Sequence, residues 1–408
     1  MDAPDPLDLI DIDALLSDEE RQIRGLARRW VTDRILPDVD EWYERGEFPA
    51  RELAKELGQL GFLGAQLPDI GGLAAVAYGL VELELEAGDS GLRSFVSVTS
   101  ALAMFAIHTF GSDEQKAEWL PRMQAGEAIG CFGLSEPDSG SDPGSMRTFA
   151  KRDGDDWILS GNKMWITNGS VSDVAIVWAN TDDGIRGFVV PCDSPGFSAP
   201  DIHKKLSLRA SVTSELVMDE VRLPAGAMLP EVKGLRGPLT CLNEARFGII
   251  WGVMGAARSC FASALNYAKT RIQFDKPIAS FQMVQEKLAW MITEITKGQL
   301  LALQMGRLKD QGKLKPHHVS MGKMNNVNIA LECARSARDI LGANGISDEY
   351  PIIRHMLNLE SVKTYEGTHD IHNLIIGEAV TGIAAYNPPM SAKDEREATA
   401  RREAETAK

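Results

Sequence analysis

The sequence predicts an α+β multidomain protein in which a helical third, a β third and a second helical third follow one another along the chain. Three observations carry this expectation. Apolar residues recur at spacings of three and four up to about Pro121, and they do so again after Leu239. Between these regions lie short runs rich in β-branched and aromatic residues, separated by turn signals. The chain has 408 residues, enough for two or three domains, and its 44% hydrophobic and 25% charged residues are those of an ordinary soluble protein. The expected boundaries are 1–127 for an N-terminal α-helical domain, 128–238 for a middle β domain and 239–386 for a C-terminal helical domain. A charged tail follows over 387–408.

In the first third, Ser17-Asp18-Glu19-Glu20 has the form of a capping box. It leads into Ile23, Leu26, Ala27, Trp30 and Val31, a stripe that predicts an amphipathic helix. Arg21, Arg24, Arg28 and Arg29 read as its solvated face. Leu67-Pro68-Asp69-Ile70-Gly71-Gly72 predicts a loop. In the middle third, Trp157-Ile158-Leu159, Met164 to Thr167, Val174 to Trp178 and Gly187 to Val190 read as strands. Asp153-Gly154 and Asp183-Gly184 mark turns, which together predict a small antiparallel barrel or sandwich. In the last third, Leu288, Met291, Ile292 and Ile295 show the helical period again, and four-helix packing is expected. The tail, with Lys393-Asp394-Glu395-Arg396, reads as frayed or as an exposed helix.

A net charge of −15 repels phosphate-rich partners, which argues against nucleic acid and anionic membrane surfaces. Cys131, Cys192, Cys241, Cys260 and Cys333 form no CxxC or zinc pattern and suit a reducing compartment as buried apolar fillers. The acidic Met1-Asp2-Ala3-Pro4-Asp5 lacks a secretory n-region, so the expected location is cytoplasmic. The longest apolar run, Phe247 to Ala257, is too short to span a bilayer, and no membrane insertion is expected.

Chemistry concentrates near the C-terminus in Lys363-Thr364-Tyr365-Glu366-Gly367-Thr368-His369-Asp370-Ile371-His372, where the helical pattern breaks. Proton abstraction beside a carbonyl needs a carboxylate in a water-poor pocket, where its pKa rises, and Gly367 lets a substrate approach the backbone. Read alone, a carboxylate before glycine is more often a solvated helix end. His369 and His372 flank Asp370 without a further ligand set, so structural hydrogen bonding is expected there and no metal. Phe132 to Asp142 packs hydroxyls, small residues and a proline into one turn, which offers N–H groups and hydroxyls to an anion or heterocycle, or is only a tight surface turn. Trp165-Ile166-Thr167 presents an indole and a hydroxyl to a flat ligand, or fills a core.

Taken together, these segments resemble the acyl-CoA dehydrogenase family over about Leu16 to Tyr386, and within it the members that act on glutaryl-CoA. Asp89 to Ser94, Cys131 to Ser141, Cys241 to Arg246, Asp339 to Gly345 and Thr364 to Ile371 carry the likeness. The resemblance implies an FAD enzyme with two helical domains around a β-barrel, assembled as a homotetramer, a dimer of dimers. Phe132, Leu134, Ser135, Gly140, Ser141, Trp165, Ile166 and Thr167 would hold the flavin ring. Thr368, Asp370 and Tyr386 would complete the flavin site. Arg271, Phe274, Gln282 and the Asp339, Leu341, Gly342, Ala343 turn would reach the FAD of a neighbouring subunit, where a guanidinium and a Gly-bearing helix turn suit a pyrophosphate. The CoA chain would pass Ser141, Leu239, Leu242 and Asn243, with Arg246 facing its nucleotide end.

The same resemblance makes Glu366 the base that takes the α-proton while a β-hydride passes to the flavin, and leaves Gly367 beside the substrate. Arg93 would bind a distal carboxylate, because an uncharged acyl chain gives a buried guanidinium no partner. Ser94 and Ser97 would assist. Glu86 and Tyr365 would form a polar link from Arg93 toward the base. The implied reaction is α,β-dehydrogenation of glutaryl-CoA followed by decarboxylation to crotonyl-CoA and CO2, with an electron-transferring flavoprotein as acceptor. The alternatives are another short-chain acyl-CoA, arrest before decarboxylation, or a flavin-bearing scaffold without turnover. Two segments depart from the glutaryl-specific pattern. The Leu67 to Leu73 loop is shorter, and Ser207 replaces a common glycine.

Overall fold

The computed structural model describes residues 5–385, so Tyr386 and the charged tail lie outside the described residues. The N-terminal helices are α1 (Asp18–Trp30), α2 (Val39–Arg45), α3 (Ala50–Gln59), α4 (Ala75–Gly88), α5 (Ser90–Ser97), α6 (Phe105–Phe110) and α7 (Asp113–Gln124). The capping box at the start of α1 is formed. Ser17 Oγ accepts from the Glu20 N–H at 3.2 Å, and the Glu20 carboxylate accepts from the Ser17 N–H at 2.8 Å. The arginines of α1 are not a simply solvated face. Arg24 pairs with Asp13, and Arg28 bonds Glu84 of α4 at 2.8 Å, because a buried carboxylate there requires a cation.

α5 and α6 are joined by a π-helical stretch, Val98–Met104, so Ser90–Phe110 is one continuous helix. This corrects the sequence reading of apolar length. Ser90–Phe110 and Arg236–Thr270 both reach the length and hydropathy of a membrane span, but 94% and 72% of their apolar windows are buried within the protein. The run Phe247 to Ala257 is only the densest part of the second helix.

The middle strands are β1 (Gly130–Gly133), β2 (Phe149–Asp153), β3 (Asp156–Thr167), β4 (Val174–Thr181), β5 (Gly184–Pro191), β6 (Phe197–Ser198) and β7 (Thr213–Leu223). They form one curled seven-stranded sheet of order β1-β4-β2-β3-β7-β6, with β5 also paired to β4. The predicted turns are present, with Gly154 at φ +64° between β2 and β3 and Gly184 at φ +91° between β4 and β5. The sheet is not wholly antiparallel. β1 pairs with β4 in parallel, Cys131 opposite Ala175, because the long excursion through β2 and β3 returns the chain to β1 in the same direction.

The C-terminal helices are α8 (Arg236–Thr270), α9 (Gln282–Asp310), α10 (Pro316–Leu341), α11 (Pro351–Thr364) and α12 (His369–Thr381), with a small hairpin of β8 (Ile272–Gln273) and β9 (Lys276–Pro277) after α8. α8 to α11 give the expected four-helix packing, and α4 lies along α8 to join the two helical domains. Glycines let these two helices touch. A Cβ on Gly255 would stand 1.8 Å from the Leu83 carbonyl oxygen, and one on Gly79 would stand 2.4 Å from the Trp251 ring. Gly255→Ala is therefore expected to force α4 and α8 apart and to destabilise the fold by about 3 kcal/mol, measured by chemical denaturation. An unchanged unfolding midpoint would contradict this packing.

Candidate active site

Glu366 occupies the break between α11 and α12 that the sequence pattern indicates. Its backbone is left-handed at φ +53°, followed by Gly367 at φ +88°, an arrangement a non-glycine residue adopts only when its surroundings compel it. Those surroundings are two cations. Lys323, buried on α10, donates to the carbonyls of Tyr365, of Glu366 at 3.3 Å and of Gly367 at 2.7 Å. Arg246 Nε, from α8, donates to the Glu366 carbonyl at 2.7 Å. Thr368 then caps α12 by accepting from the Ile371 N–H at 3.3 Å. The turn is held through its carbonyls, which leaves the Glu366 side chain free to point inward.

The Glu366 Oε2 atom is buried and without a protein partner. Burial raises the pKa of this carboxyl above its ordinary value, partly opposed by Arg93, Lys323 and Arg246. Burial also brings the Lys323 ammonium down to about 7. Gly367 is needed for space, since a Cβ there would meet His372 Nε2 at 3.0 Å and Arg246 Nη2 at 3.1 Å. His372 Nδ1 lies 3.1 Å from Ser320 Oγ, and burial lowers its pKa to about 3, so it is a neutral ring fixed beneath the turn. His369 stands apart, nearer the surface, and Asp370 is exposed.

Arg93 on α5 is completely buried. Its Nε donates to Glu86 Oε2 of α4 at 2.9 Å, its Nη2 bonds the Tyr365 hydroxyl, and Ser90 Oγ donates to Glu86 Oε1 at 2.8 Å. Ser94 Oγ is 3.2 Å from the Tyr365 hydroxyl. The expected polar link is formed from Glu86 through Arg93 to the Tyr365 hydroxyl, and among the described residues no hydrogen bond continues it to the Glu366 carboxylate. Arg93 Nη1 and Ser97 Oγ, one turn apart on a buried helix face, have no protein partner. A buried guanidinium N–H and a buried hydroxyl left open in this way suit an acceptor brought in by a ligand.

The serine-rich loop after β1 is held from below. Glu136 accepts from the Arg147 and Thr148 N–H groups at 2.6 and 2.9 Å, and Lys163 of β3 donates to Glu136 at 2.8 Å and to the Leu134 carbonyl at 3.1 Å. Phe132 and Leu134 are buried, while Gly140 and Ser141 are exposed and Ser135 is intermediate. On β3, Trp165 has φ +64° and is 63% exposed, at a register shift opposite β7. A large indole held outward on a left-handed backbone is not core filling, and it offers a flat stacking face. Ile166 beneath it is buried and Thr167 is half-buried.

Leu239, Leu242 and Asn243 lie along the first turns of α8, on the face that carries Arg246. Arg246 itself corrects an expectation. It is buried beneath the Glu366 turn and bonds Asn243 Oδ1 at 3.2 Å, so it does not face a nucleotide end, because the left-handed turn needs its guanidinium.

Arg271, Phe274, Gln282 and Asp339 to Ala343 gather at one end of the C-terminal bundle, where Asn344 bonds the Tyr267 hydroxyl at 3.0 Å and Lys287 pairs with Asp339. They are not part of the Glu366 site within one chain. Asp339 and Leu341 end α10, and Gly342 opens the short 3-10 turn Gly342–Ile346. Phe274 stands 86% exposed on the tip of the β8–β9 hairpin.

Two buried charged side chains near the Glu366 turn escaped the sequence reading. Lys323 was signalled by a lone lysine on the buried stripe Val319, Asn326, Val327 and Ala330, and Glu82 by its spacing one turn before Glu86.

The comparisons with known proteins agree with this arrangement. The families described as Acyl-CoA dehydrogenase N-terminal, middle and C-terminal domain match residues 17–127, 131–221 and 232–381. A glutaryl-CoA dehydrogenase of Desulfococcus multivorans is 34% identical over 92% of this chain and 100% of its own. Two crystal structures of glutaryl-CoA dehydrogenase from Mycobacterium smegmatis, one in complex with FADH2, superpose with TM-scores of 0.93 at 63% and 57% identity. Each covers 94% of this chain and 100% of its own. A glutaryl-coenzyme A dehydrogenase in complex with glutaryl-CoA gives 0.87 at 34% identity, over 90% of this chain and 96% of its own. With all three domains matched and Glu366, the serine-rich loop and the buried Arg93 in place, this chain belongs to the acyl-CoA dehydrogenase family.

Proposed function

We propose that the protein is an FAD-dependent dehydrogenase of glutaryl-CoA that also decarboxylates its product, giving crotonyl-CoA and CO2. The observation that carries this reading is Arg93, a fully buried guanidinium whose Nη1 has no protein partner, in the same interior as the Glu366 carboxyl on which it acts. Relatives bound to glutaryl-CoA and to FADH2 support the same assignment.

The residues present fit FAD. The outward indole of Trp165, the open space beside Gly140 and the pinned Phe132 to Ser141 loop make a cradle for a flat ring with polar edges. Ser135, Ser141 and Thr167 supply hydroxyls, and Thr368 closes the side next to the base. Bound there, FAD supplies the acceptor for the hydride that leaves the β-carbon. Glu366, ionised and poorly solvated, takes the α-proton of the thioester. Arg93, with Ser94 and Ser97 beside it, holds the distal carboxylate. That carboxylate then leaves as CO2 as its electrons move through the new double bond into the thioester. Glu366-H returns the proton, and Leu239, Leu242 and Asn243 guide the CoA chain.

The exposed Ile272, Phe274, Met283 and Ile346 at the end of the bundle support burial against another subunit, in a homotetramer whose neighbours complete one another's flavin sites. Five free thiols support a cytoplasmic setting, and an electron-transferring flavoprotein is the proposed acceptor.

Mass spectrometry of products from FAD-loaded protein, glutaryl-CoA and an artificial electron acceptor tests the reading. Crotonyl-CoA with CO2 is expected. Glutaconyl-CoA alone would remove the decarboxylation step, and no product would redirect the assignment to another short-chain acyl-CoA.

A further inference from the structure

Glu82 is the most unusual side chain in the interior. It is fully buried on α4, and neither of its carboxyl oxygens has a protein partner. Tyr78, Glu82 and Glu86 stand one turn apart on a single face of α4, and that face meets two glycines one turn apart on α8. A Cβ on Gly248 would lie 3.1 Å from Glu82 Oε2, and one on Gly252 would lie 2.2 Å from Glu86 Oε2. The helix contact is therefore cut to admit both acids. Glu86 is spent on Arg93 and Ser90, whereas Glu82 has no cation paired with it and only the Tyr78 hydroxyl beside it.

We propose that Glu82 is a specificity-determining residue of the acyl pocket. As the neutral acid it donates a hydrogen bond to the terminal carboxylate of a dicarboxylyl thioester, and once ionised it repels that carboxylate. This rests on the dicarboxylyl reading of Arg93. The charge balance motivates it. Arg93 is already matched by Glu86, so an incoming carboxylate meets a neutral pair with only the Nη1 amino group free, and Glu366 adds a further negative charge nearby. A third donor beside Arg93 Nη1 and Ser97 Oγ makes the pocket complementary to a carboxylate, which offers about four acceptor positions.

The proton on Glu82 is consistent with its surroundings. Burial is the largest influence and lifts its pKa to about 8, against the pull of Arg93 and of the Tyr78 hydroxyl and with further upward pushes from Glu86 and Glu366. The groups that act on it are Tyr78 and Glu86 on α4, Arg93 on α5 and Glu366 on the turn, while Glu244 of α8 acts on Tyr78, and Lys323 and Arg246 act on Glu366. Lys323 also titrates near this range, at about 7, but it holds backbone carbonyls and acts on any acyl substrate alike.

The test is the ratio of kcat/KM for glutaryl-CoA to that for butyryl-CoA, followed from pH 6 to 10 with the flavin-loaded wild type, Glu82→Gln and Glu82→Leu. In the wild type the ratio is expected to be flat at low pH and to fall about tenfold per unit above pH 8, carried by KM and not by kcat. Glu82→Gln, which keeps a donor but cannot ionise, loses that fall. Glu82→Leu has a ratio about tenfold below the wild-type low-pH plateau, the worth of one charge-assisted hydrogen bond, and that ratio stays flat with pH because leucine cannot ionise. If Glu82→Gln declines with pH as the wild type does, or if the wild-type ratio is flat to pH 10, the proposal is overturned. If Glu82→Leu does not fold, the glutamine comparison still decides. Wild type that oxidises butyryl-CoA but not glutaryl-CoA at any pH overturns the substrate assignment itself, a different result from either failure of Glu82.

Discussion

Glu366→Gln is expected to give a folded, flavin-binding protein whose flavin is no longer bleached by glutaryl-CoA, with turnover reduced by between about a hundredfold and ten-thousandfold. The substitution isolates the carboxylate because the left-handed turn does not depend on it. Lys323 and Arg246 grip the carbonyls of residues 365–367, and glutamine matches glutamate in volume, so the cradle under the turn persists. The same variant changes the pH profile. Burial raises the Glu366 pKa, so the acid limb of kcat/KM in the wild type lies above the ordinary glutamate range, and activity rises as pH rises through it. In the glutamine protein this limb disappears.

Stability moves in the linked direction. A carboxyl whose pKa is raised on folding contributes stability that is complete below its unfolded pKa and fades as pH climbs through the folded value. Replacing Glu366 therefore helps the fold more at neutral pH than near pH 4. Bleaching at the wild-type rate, followed by flavin absorbance in a rapid-mixing experiment, would remove Glu366 as the base.

The parts of this protein that were legible in its sequence are those whose signal is local. The capping box at Ser17 and Glu20, the turns at Gly154 and Gly184, and the helix break around Glu366 each depend on residues within a few positions, so spacing and residue type suffice. The purpose of Arg93, Glu86 and Tyr365 became readable through resemblance to a family, not from pattern. What stayed hidden depends on contacts between distant segments. Arg246 was placed at the nucleotide end because its helix borders the CoA path, yet a carbonyl 120 positions later claims its guanidinium. β1 joins β4 in parallel because of how the sheet curls, and the sequence of β1 carries no mark of direction. Lys323 and Glu82 look like ordinary charged helix residues until packing shows that both face inward, where charge is costly and so has a use.

Arg93→Ala is expected to lower kcat/KM for glutaryl-CoA by about a hundredfold to a thousandfold, the cost of roughly 3 to 4 kcal/mol for removing one partner of a buried charge-assisted contact. For butyryl-CoA the loss should stay within about tenfold, because an uncharged chain end makes no ion pair with the guanidinium. The comparison matters because the substitution also disturbs the resting protein. Arg93 Nε is the cation that Glu86 faces at 2.9 Å, and both side chains are completely buried. Without it, Glu86, whose pKa burial already raises, takes up a proton instead of remaining an isolated buried charge. That adjustment costs stability with every substrate, so it appears equally in both rates and cancels in their ratio. Pairing Arg93→Ala with Glu86→Gln removes the stranded acid and should restore thermal stability without restoring the preference for glutaryl-CoA. Equal losses for the two thioesters in the single variant would mean that Arg93 only holds the helices together, and the dicarboxylyl assignment would go with it. A selective loss that persists in the double variant separates the two roles: Glu86 keeps the guanidinium soluble in the core, and the Nη1 amino group that Glu86 and Tyr365 leave open recognises the substrate.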